Sequence, residues 1–394
     1  MKVFGDDVLP IFEFRSNAEM PLVLNEEQNM LKDAAKDFCT NNTPITQLRK
    51  LRNEKSETGF DSDTWQQMVD LGWAGITIPE DFGGLGFGFL GLGVVLEECG
   101  RTLTASPLLS TVIGATALVA GGSDEQKNEL LPKVSGGELL LTLALEESAH
   151  HNPYGSATTA QKSTNGYSVT GSKKFVLDGN VADKLVVVAR SSGKPGERDG
   201  LTLVLVDRES ENVSVTRTIM ADSRNAANIE FSAAEGVIVG EEGKAADIID
   251  HALDAGRILL AAEMLGGVQE CFERTIEYLK VREQFGVAIG SFQGLQHRAA
   301  QMFCEVELSK SVVLEALSAL DEGSEDIAEL ASLAKARVND TFNLVSSEGV
   351  QMHGGIGMTD EYEIGFFLKR SRIAEHTYGN SAFHRDRYAT IQGY

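Results

Sequence analysis

The chain has 394 residues, with 58 Asp or Glu against 35 Lys or Arg, for a formal net charge of −23. A surface of that sign repels phosphate backbones and anionic lipid, which excludes nucleic-acid and membrane-surface binding, and the length implies more than one core, since single cores stop growing at roughly 250–300 residues. The cysteines, Cys39, Cys99, Cys271 and Cys304, are far apart in the chain and form no Cys-x-x-Cys pair, the pattern of a reduced, cytoplasmic protein with no disulfide framework and no metal site. The opening MKVFGDDVLPIFEFRS lacks a basic run followed by an apolar one, so no signal peptide is expected, and no apolar stretch approaches the ~20 residues of a membrane span.

Residues 1–20 show no period and read as a tail or arm. From 21 to 135 the pattern is helical. NEEQNMLKDAAKDFCTNN opens with Asn25 as N-cap and Glu26 and Glu27 in the first turn. DTWQQMVDLGW, LGVVLEECGRTL, PLLSTVIGATALVAGG and EQKNELLPKVSGG continue it. From 136 to 240 the character changes: ELLLTLALEES is a dense apolar run that fits a buried strand, and GYSVTGSKKFVLDG, KLVVVAR, GLTLVLVD and NVSVTRTI follow between turn signals. That spacing predicts an antiparallel β unit of about 100 residues. From 241 to 394 the helical period returns in three long stretches and a fourth from about Glu361. The first is apolar on nearly all sides around ILLAAEML, as befits a helix buried within a bundle. The third ends at Gly354-Gly355, which suits a C-cap. The fold class is therefore α+β and mostly α: helical, then β, then a helical bundle.

FGGLGFGFLGLG contains Gly86-x-Gly88-x-x-Gly91, the spacing of a dinucleotide fingerprint. That motif works only where a strand runs into the glycines and a βαβ unit follows. Here Pro79, Glu80 and Asp81 interrupt the approach and more helix follows, so the stretch reads as a glycine-rich packing loop.

Three stretches carry a resemblance: YLKVREQFGVAIGSFQGLQHRAAQM (278–302), QMHGGIGMTDEYEIGFFLKRSR (351–372) and IAEHTYGNSAFHRDR (373–387). With LGWAGITIPEDFGGLG and VVLEECGR nearer the N-terminus, they resemble the acyl-CoA dehydrogenase family. FVLDGNVADKLVVVAR and TYGNSAFHRDR look most like the branch of pimeloyl-CoA dehydrogenase small subunits and bacterial steroid side-chain dehydrogenases. The resemblance implies a helical N-terminal domain, a central β-domain and a C-terminal four-helix bundle. It implies FAD between the last two, an acyl-CoA substrate, an electron-transfer flavoprotein as acceptor, and a homo- or heterotetramer.

The resemblance also implies residue roles. Arg282 stands at the Arg of Arg-x-x-Phe-Gly, where a guanidinium can hold pyrophosphate oxygens bidentately. Gln284, Phe285 and Gln296 accompany it. Gln351, Gly354 and Gly355 form a second FAD segment, where glycine lets a phosphate or ribose approach the backbone; His353 among them reads as a packed or surface imidazole. Glu375, in Ile373-Ala374-Glu375-His376-Thr377, matches the family's general base. A base beside the substrate α-carbon is worth about 10²–10⁴ in rate, and burial raises a carboxylate toward the working pH. Thr377 stands where the family contacts FAD, Phe175 where it covers the ring, and Arg257 at an Arg near the active site. Some members carry the base just before that Arg, where this chain has Gly256.

The β unit departs from the family pattern. Glu146 and Leu177 replace threonines that contact the flavin. One neutral hydrogen bond is worth only about 1 kcal/mol net, but an acidic group beside the ring alters its electronics. Two other readings stand beside the dehydrogenase: a flavin oxidase or monooxygenase on the same fold, and a catalytically reduced subunit that depends on a partner.

Overall fold

The computed structural model describes residues 23–394, so the stretch read as a tail or arm lies outside the described residues. Among the described residues, six α-helices come first. α1 (Glu26–Asn42) opens with a capping box, in which Asn25 accepts from the Gln28 N–H and the Gln28 side chain accepts from the Asn25 N–H. α2 (Ile45–Asn53), α3 (Ser62–Asp70), α4 (Gly88–Arg101), α5 (Leu108–Gly121) and α6 (Asp124–Ser135) follow. Among the described residues, no strand precedes the glycine-rich stretch. Gly88, at φ +93°, begins α4, and a Cβ there would lie 2.7 Å from the Asp321 carboxylate, which accepts from the Leu90 N–H at 3.0 Å. The glycines serve packing.

The sheet comprises β1 (Leu141–Ala144), β2 (Thr159–Ser163), β3 (Gly166–Leu177), β4 (Lys184–Arg190), β5 (Leu201–Asp207), β6 (Val213–Ile219) and β7 (Asn225–Val239). The order is β1-β4-β2-β3-β7-β5, with β6 on β7, and a β4–β5 pairing closes the sheet on itself. Two details differ from the sequence reading. The apolar run around Leu141 is a strand for only four residues, because Glu146 and Glu147 turn away into a loop. That short strand also runs parallel to β4, in an otherwise largely antiparallel sheet. β4 reads as a continuous apolar run because both faces are buried. Leu185 and Val187 pack inside the closed sheet, while Val186 and Val188 join the helical core.

The third part holds α7 (Ala246–Val281), the hairpin β8 (Glu283–Gln284) and β9 (Val287–Ala288), α8 (Gln293–Glu322), α9 (Ile327–His353), α10 (Ile364–His376) and α11 (Ser381–Ile391). α7 is the central rod: every residue from Ala252 to Gln269 is buried. Glycine lets α4 and α7 cross closely. A Cβ on Gly100 would sit 1.8 Å from the Glu263 carbonyl oxygen, and one on Gly266 1.7 Å from that of Glu97. Among the described residues, no helix is long and apolar enough to cross a membrane.

Candidate active site

A cavity of about 400 Å³ opens where β1 and β3 end against the C-terminal end of α10. Leu143, Leu145, Phe175 and Leu177 line it from the sheet, Ile373, His376, Thr377 and Tyr378 from the bundle, and Met220 from the β6–β7 turn. Size and apolar walls are those of a small-molecule site. Phe175 adopts a left-handed backbone, φ +53°, a conformation that costs a bulky residue about 1 kcal/mol or more. Its N–H donates to the Asn228 side chain at 3.2 Å, and the ring stays 40% exposed because it faces open cavity.

The loop after β1 forms the polar edge. Its anchor is Glu147, whose carboxylate accepts from the fully buried Lys173 ammonium at 2.7 Å, from Ser156 Oγ at 2.8 Å, and from the N–H groups of Ala157 and Thr158 at 2.8 and 2.9 Å. Burial alone would raise the Glu147 pKa; the Lys173 charge and these donors outweigh it and bring the group to about 2. So anchored, the loop places Glu146 and His151 on the cavity. The two are 2.5 Å apart at Glu146 Oε1 and His151 Nδ1. Arg257 Nη2 lies 2.9 Å from His151 Nε2. A guanidinium can only donate, so Nε2 accepts and Nδ1 carries the proton given to Glu146. Burial pulls the His151 pKa below its ordinary value, in keeping with that neutral ring.

Arg257 itself is buried behind the wall. It donates to Asp254 at 2.8 Å and to the Tyr378 carbonyl at 3.2 Å, and it acts on the cavity through His151 and Tyr378. Tyr378 has φ +58° and lines the cavity; burial pushes its phenol pKa up. The missing Cβ of Gly256 would lie 3.5 Å from the Tyr378 ring. Thr377 ends α10 and donates from Oγ1 to the Ile373 carbonyl at 3.0 Å. Ile373, His376 and Thr377 share one side of the helix, by their spacing of three and four. Glu375, two residues past Ile373, leaves the other side and does not line the cavity. Its charge is felt instead by Lys335 of α9.

The remaining candidates gather elsewhere. Arg282 caps the far end of α7, and Gln284 and Phe285 lie in the β8–β9 hairpin, with Phe285 93% exposed. Gln296 begins α8 and donates to the Gly290 carbonyl at 2.9 Å. Gln351, Gly354 and Gly355 end α9. The two segments meet through Tyr278, which stacks on His353 at 4.2 Å and donates to its carbonyl at 3.3 Å. His353 is thus a packed imidazole. Arg257 and Arg282 stand 25 residues apart on one helix, roughly 38 Å at 1.5 Å per residue. That exceeds an extended dinucleotide, so one chain does not bring both groups to one FAD.

Each group fits half of that cofactor. The cavity offers Phe175, Leu177 and Ile373 to a planar ring. At the far end, a Cβ on Gly354 or Gly355 would meet nothing within 4 Å, so the backbone is open to a phosphate or ribose. Among the described residues, the Arg282 guanidinium, one helical turn past Tyr278, has no ion-pair or hydrogen-bond partner. The sequence reading missed His151, Tyr378 and Lys335. Only the Tyr378-Gly379 pair carried a local signal, a turn at a helix end.

Three family models match: the acyl-CoA dehydrogenase N-terminal domain over residues 25–138, the middle domain over 143–233 and the C-terminal domain over 245–391. The chain is 30% identical over 358 residues to the short/branched chain specific acyl-CoA dehydrogenase of Bos taurus, covering 88% of this chain and 81% of that one. It is 30% identical over 367 residues to an acyl-CoA dehydrogenase of Mycobacterium tuberculosis, covering 89% and 92%. Among solved structures, a variant of the Tcur3481–Tcur3483 steroid ACAD superposes with a TM-score of 0.85 at 30% identity, over 93% of this chain and 98% of that chain. Butyryl-CoA dehydrogenase from Megasphaera elsdenii gives 0.85 at 25%, over 94% and 99%.

Proposed function

Since the chain belongs to the acyl-CoA dehydrogenase family, FAD enzymes that oxidise CH–CH bonds, we propose that it dehydrogenates an acyl-CoA thioester to the trans-2-enoyl-CoA. The observation that carries this reading is the apolar cavity between sheet and bundle, with Phe175 and Leu177 facing Ile373 and Thr377. FAD, when bound, supplies the hydride acceptor for the substrate Cβ. Phe175, Leu177 and Ile373 exclude water and hold the reacting bond in an apolar setting, where electrostatic interactions strengthen. The family motif makes Glu375 the acceptor of the Cα proton. At the far end, Arg282, Gln284, Phe285, Gln296, Gln351, Gly354 and Gly355 hold the diphosphate half of the cofactor of a neighbouring subunit, so the working unit is an oligomer. Electrons leave to an electron-transfer flavoprotein in the cytoplasm.

One observation favours a second reading. Among the described residues, no carboxylate from the bundle lines the cavity: Glu375 leaves the other side of α10, and the Tyr378 phenol, held protonated by burial, takes the cavity side. A chain so arranged is a partner-dependent subunit that completes a catalytic site elsewhere. An anaerobic visible spectrum before and after a panel of acyl-CoAs decides between them. Bleaching of the flavin by one acyl class supports the dehydrogenase, and bleaching lost in Glu375→Gln with flavin retained supports Glu375 as base. Flavin acquired only on co-expression with a second subunit supports the alternative.

A further inference from the structure

Lys335, a third of the way along α9, is fully buried. Its ammonium is surrounded by four acceptors and no donor: Asn339 Oδ1 at 2.7 Å and the carbonyls of Ala374, Glu375 and Gly379 at 2.8, 3.2 and 3.2 Å. Those carbonyls end α10 and flank the turn at 377–379, whose Thr377 and Tyr378 line the cavity. The intervening Tyr378 carbonyl accepts from Arg257 and from His384 Nε2 at 3.1 Å. No carboxylate among the described residues comes within ion-pair reach of Lys335; the acid that acts on it is Glu375, from a distance. Nearby, Arg257 and Arg387 share the single carboxylate of Asp254 at 2.8 and 2.7 Å. Positive charge is therefore in excess behind this wall. Burial pulls the Lys335 pKa down, but four oxygens at bonding distance are the coordination of an ammonium, not of an amine with a lone pair to place.

A buried cation without a counter-ion is costly, and such groups cluster where a site must stabilise charge. Removing a proton and a hydride from a thioester builds negative charge on the thioester oxygen and on the reduced ring. We propose that Lys335 is a positioning residue of the dehydrogenation: it pins the 377–379 turn, and its unpaired charge favours the negative charge that develops in the cavity. This role rests on the dehydrogenase reading.

The test is the midpoint potential of the bound flavin, titrated anaerobically with a reductant and a reference dye, in wild-type, Lys335→Met, Lys335→Arg and Glu375→Gln holoprotein. A charge about three extended residues' span from the cavity, about 10 Å in a medium of effective dielectric about 20, shifts the reduced-to-oxidised ratio on the order of tenfold. Lys335→Met should therefore be harder to reduce by that factor, Lys335→Arg should stay near wild type, and Glu375→Gln, which removes the opposing charge, should be easier to reduce. Folded, flavin-loaded Lys335→Met with the wild-type potential overturns the role. If Lys335→Met does not fold or hold flavin, Lys335→Gln, which keeps donors for the carbonyls without the charge, decides: a lowered potential supports the role, and an unchanged or raised one overturns it. Wild-type protein that never binds flavin overturns the site reading itself and this role with it.

Discussion

Replacing Lys173 by Met tests whether the loop beside the cavity is held by the Glu147 anchor. Lys173 donates to Glu147, to the Leu145 carbonyl at 3.0 Å and to Ser156 Oγ at 3.1 Å. Burial pulls its pKa only to about 8, so at pH 7 it is the charged partner. For Glu147, a fall from 4.5 to about 2 at 1.36 kcal/mol per pH unit is roughly 3 kcal/mol. Three other donors survive the substitution, and the Glu147 side chain keeps 21% of its surface in water, so the expected loss is about 2 kcal/mol. Urea unfolding at pH 7 measures it. Because the folded pKa of Glu147 is depressed, its contribution is present in full above pH 4.5 and lost as pH falls through about 2. The gap between wild type and variant should shrink over that window. Lys173→Met/Glu147→Gln should recover part of the loss, since no unpaired charge remains. Leu145 and Glu146 line the cavity, so flavin content should fall in the single variant. A Lys173→Met protein within 0.5 kcal/mol of wild type, flavin fully retained, refutes the reasoning; that threshold is about the ordinary effect of a surface substitution.

Gly266→Ala puts a methyl 1.7 Å from the Glu97 carbonyl, so α4 and α7 must separate; a cost of about 3 kcal/mol, the upper end for overpacking, is expected in urea unfolding, and an unchanged midpoint would show that the crossing yields. His151, His353 and His384 are each held below the ordinary imidazole pKa, first by burial. The folded chain then binds fewer protons than the unfolded one below about pH 6.5, so stability is full above that pH and falls on acidification by up to about 1.4 kcal/mol per pH unit for each histidine; a flat stability from pH 7 to 5.5 would contradict it. Arg282→Ala removes an exposed guanidinium, so FAD affinity should drop roughly tenfold to a hundredfold, the worth of a charge-assisted hydrogen bond, with the melting temperature of flavin-free protein unchanged. Equal FAD affinity in a binding titration would remove Arg282 from the cofactor site.

The order helical, β, helical was legible in the sequence because periodicity, caps and breakers act over a few residues. Asn25 starts α1 and Gly354 ends α9 by interactions no more than four residues long. Family spacing made Phe175, Thr377, Glu146 and Leu177 expected flavin-contact positions, and the structure brings all four to one cavity. What depends on contacts across the chain was not. Cys39 and Cys99, 60 residues apart, bring their sulfurs to 3.8 Å. β1 joins β4 in parallel although β2 and β3 separate them in sequence. Nothing local marks Lys335 as buried, because the carbonyls that hold it belong to α10 and the turn after it. Nor does the motif around Glu375 say which side of α10 meets the sheet. That is decided when the helix buries its apolar residues against α7 and α9, and the packing that turns Ile373 and Thr377 toward the cavity turns Glu375 away from it.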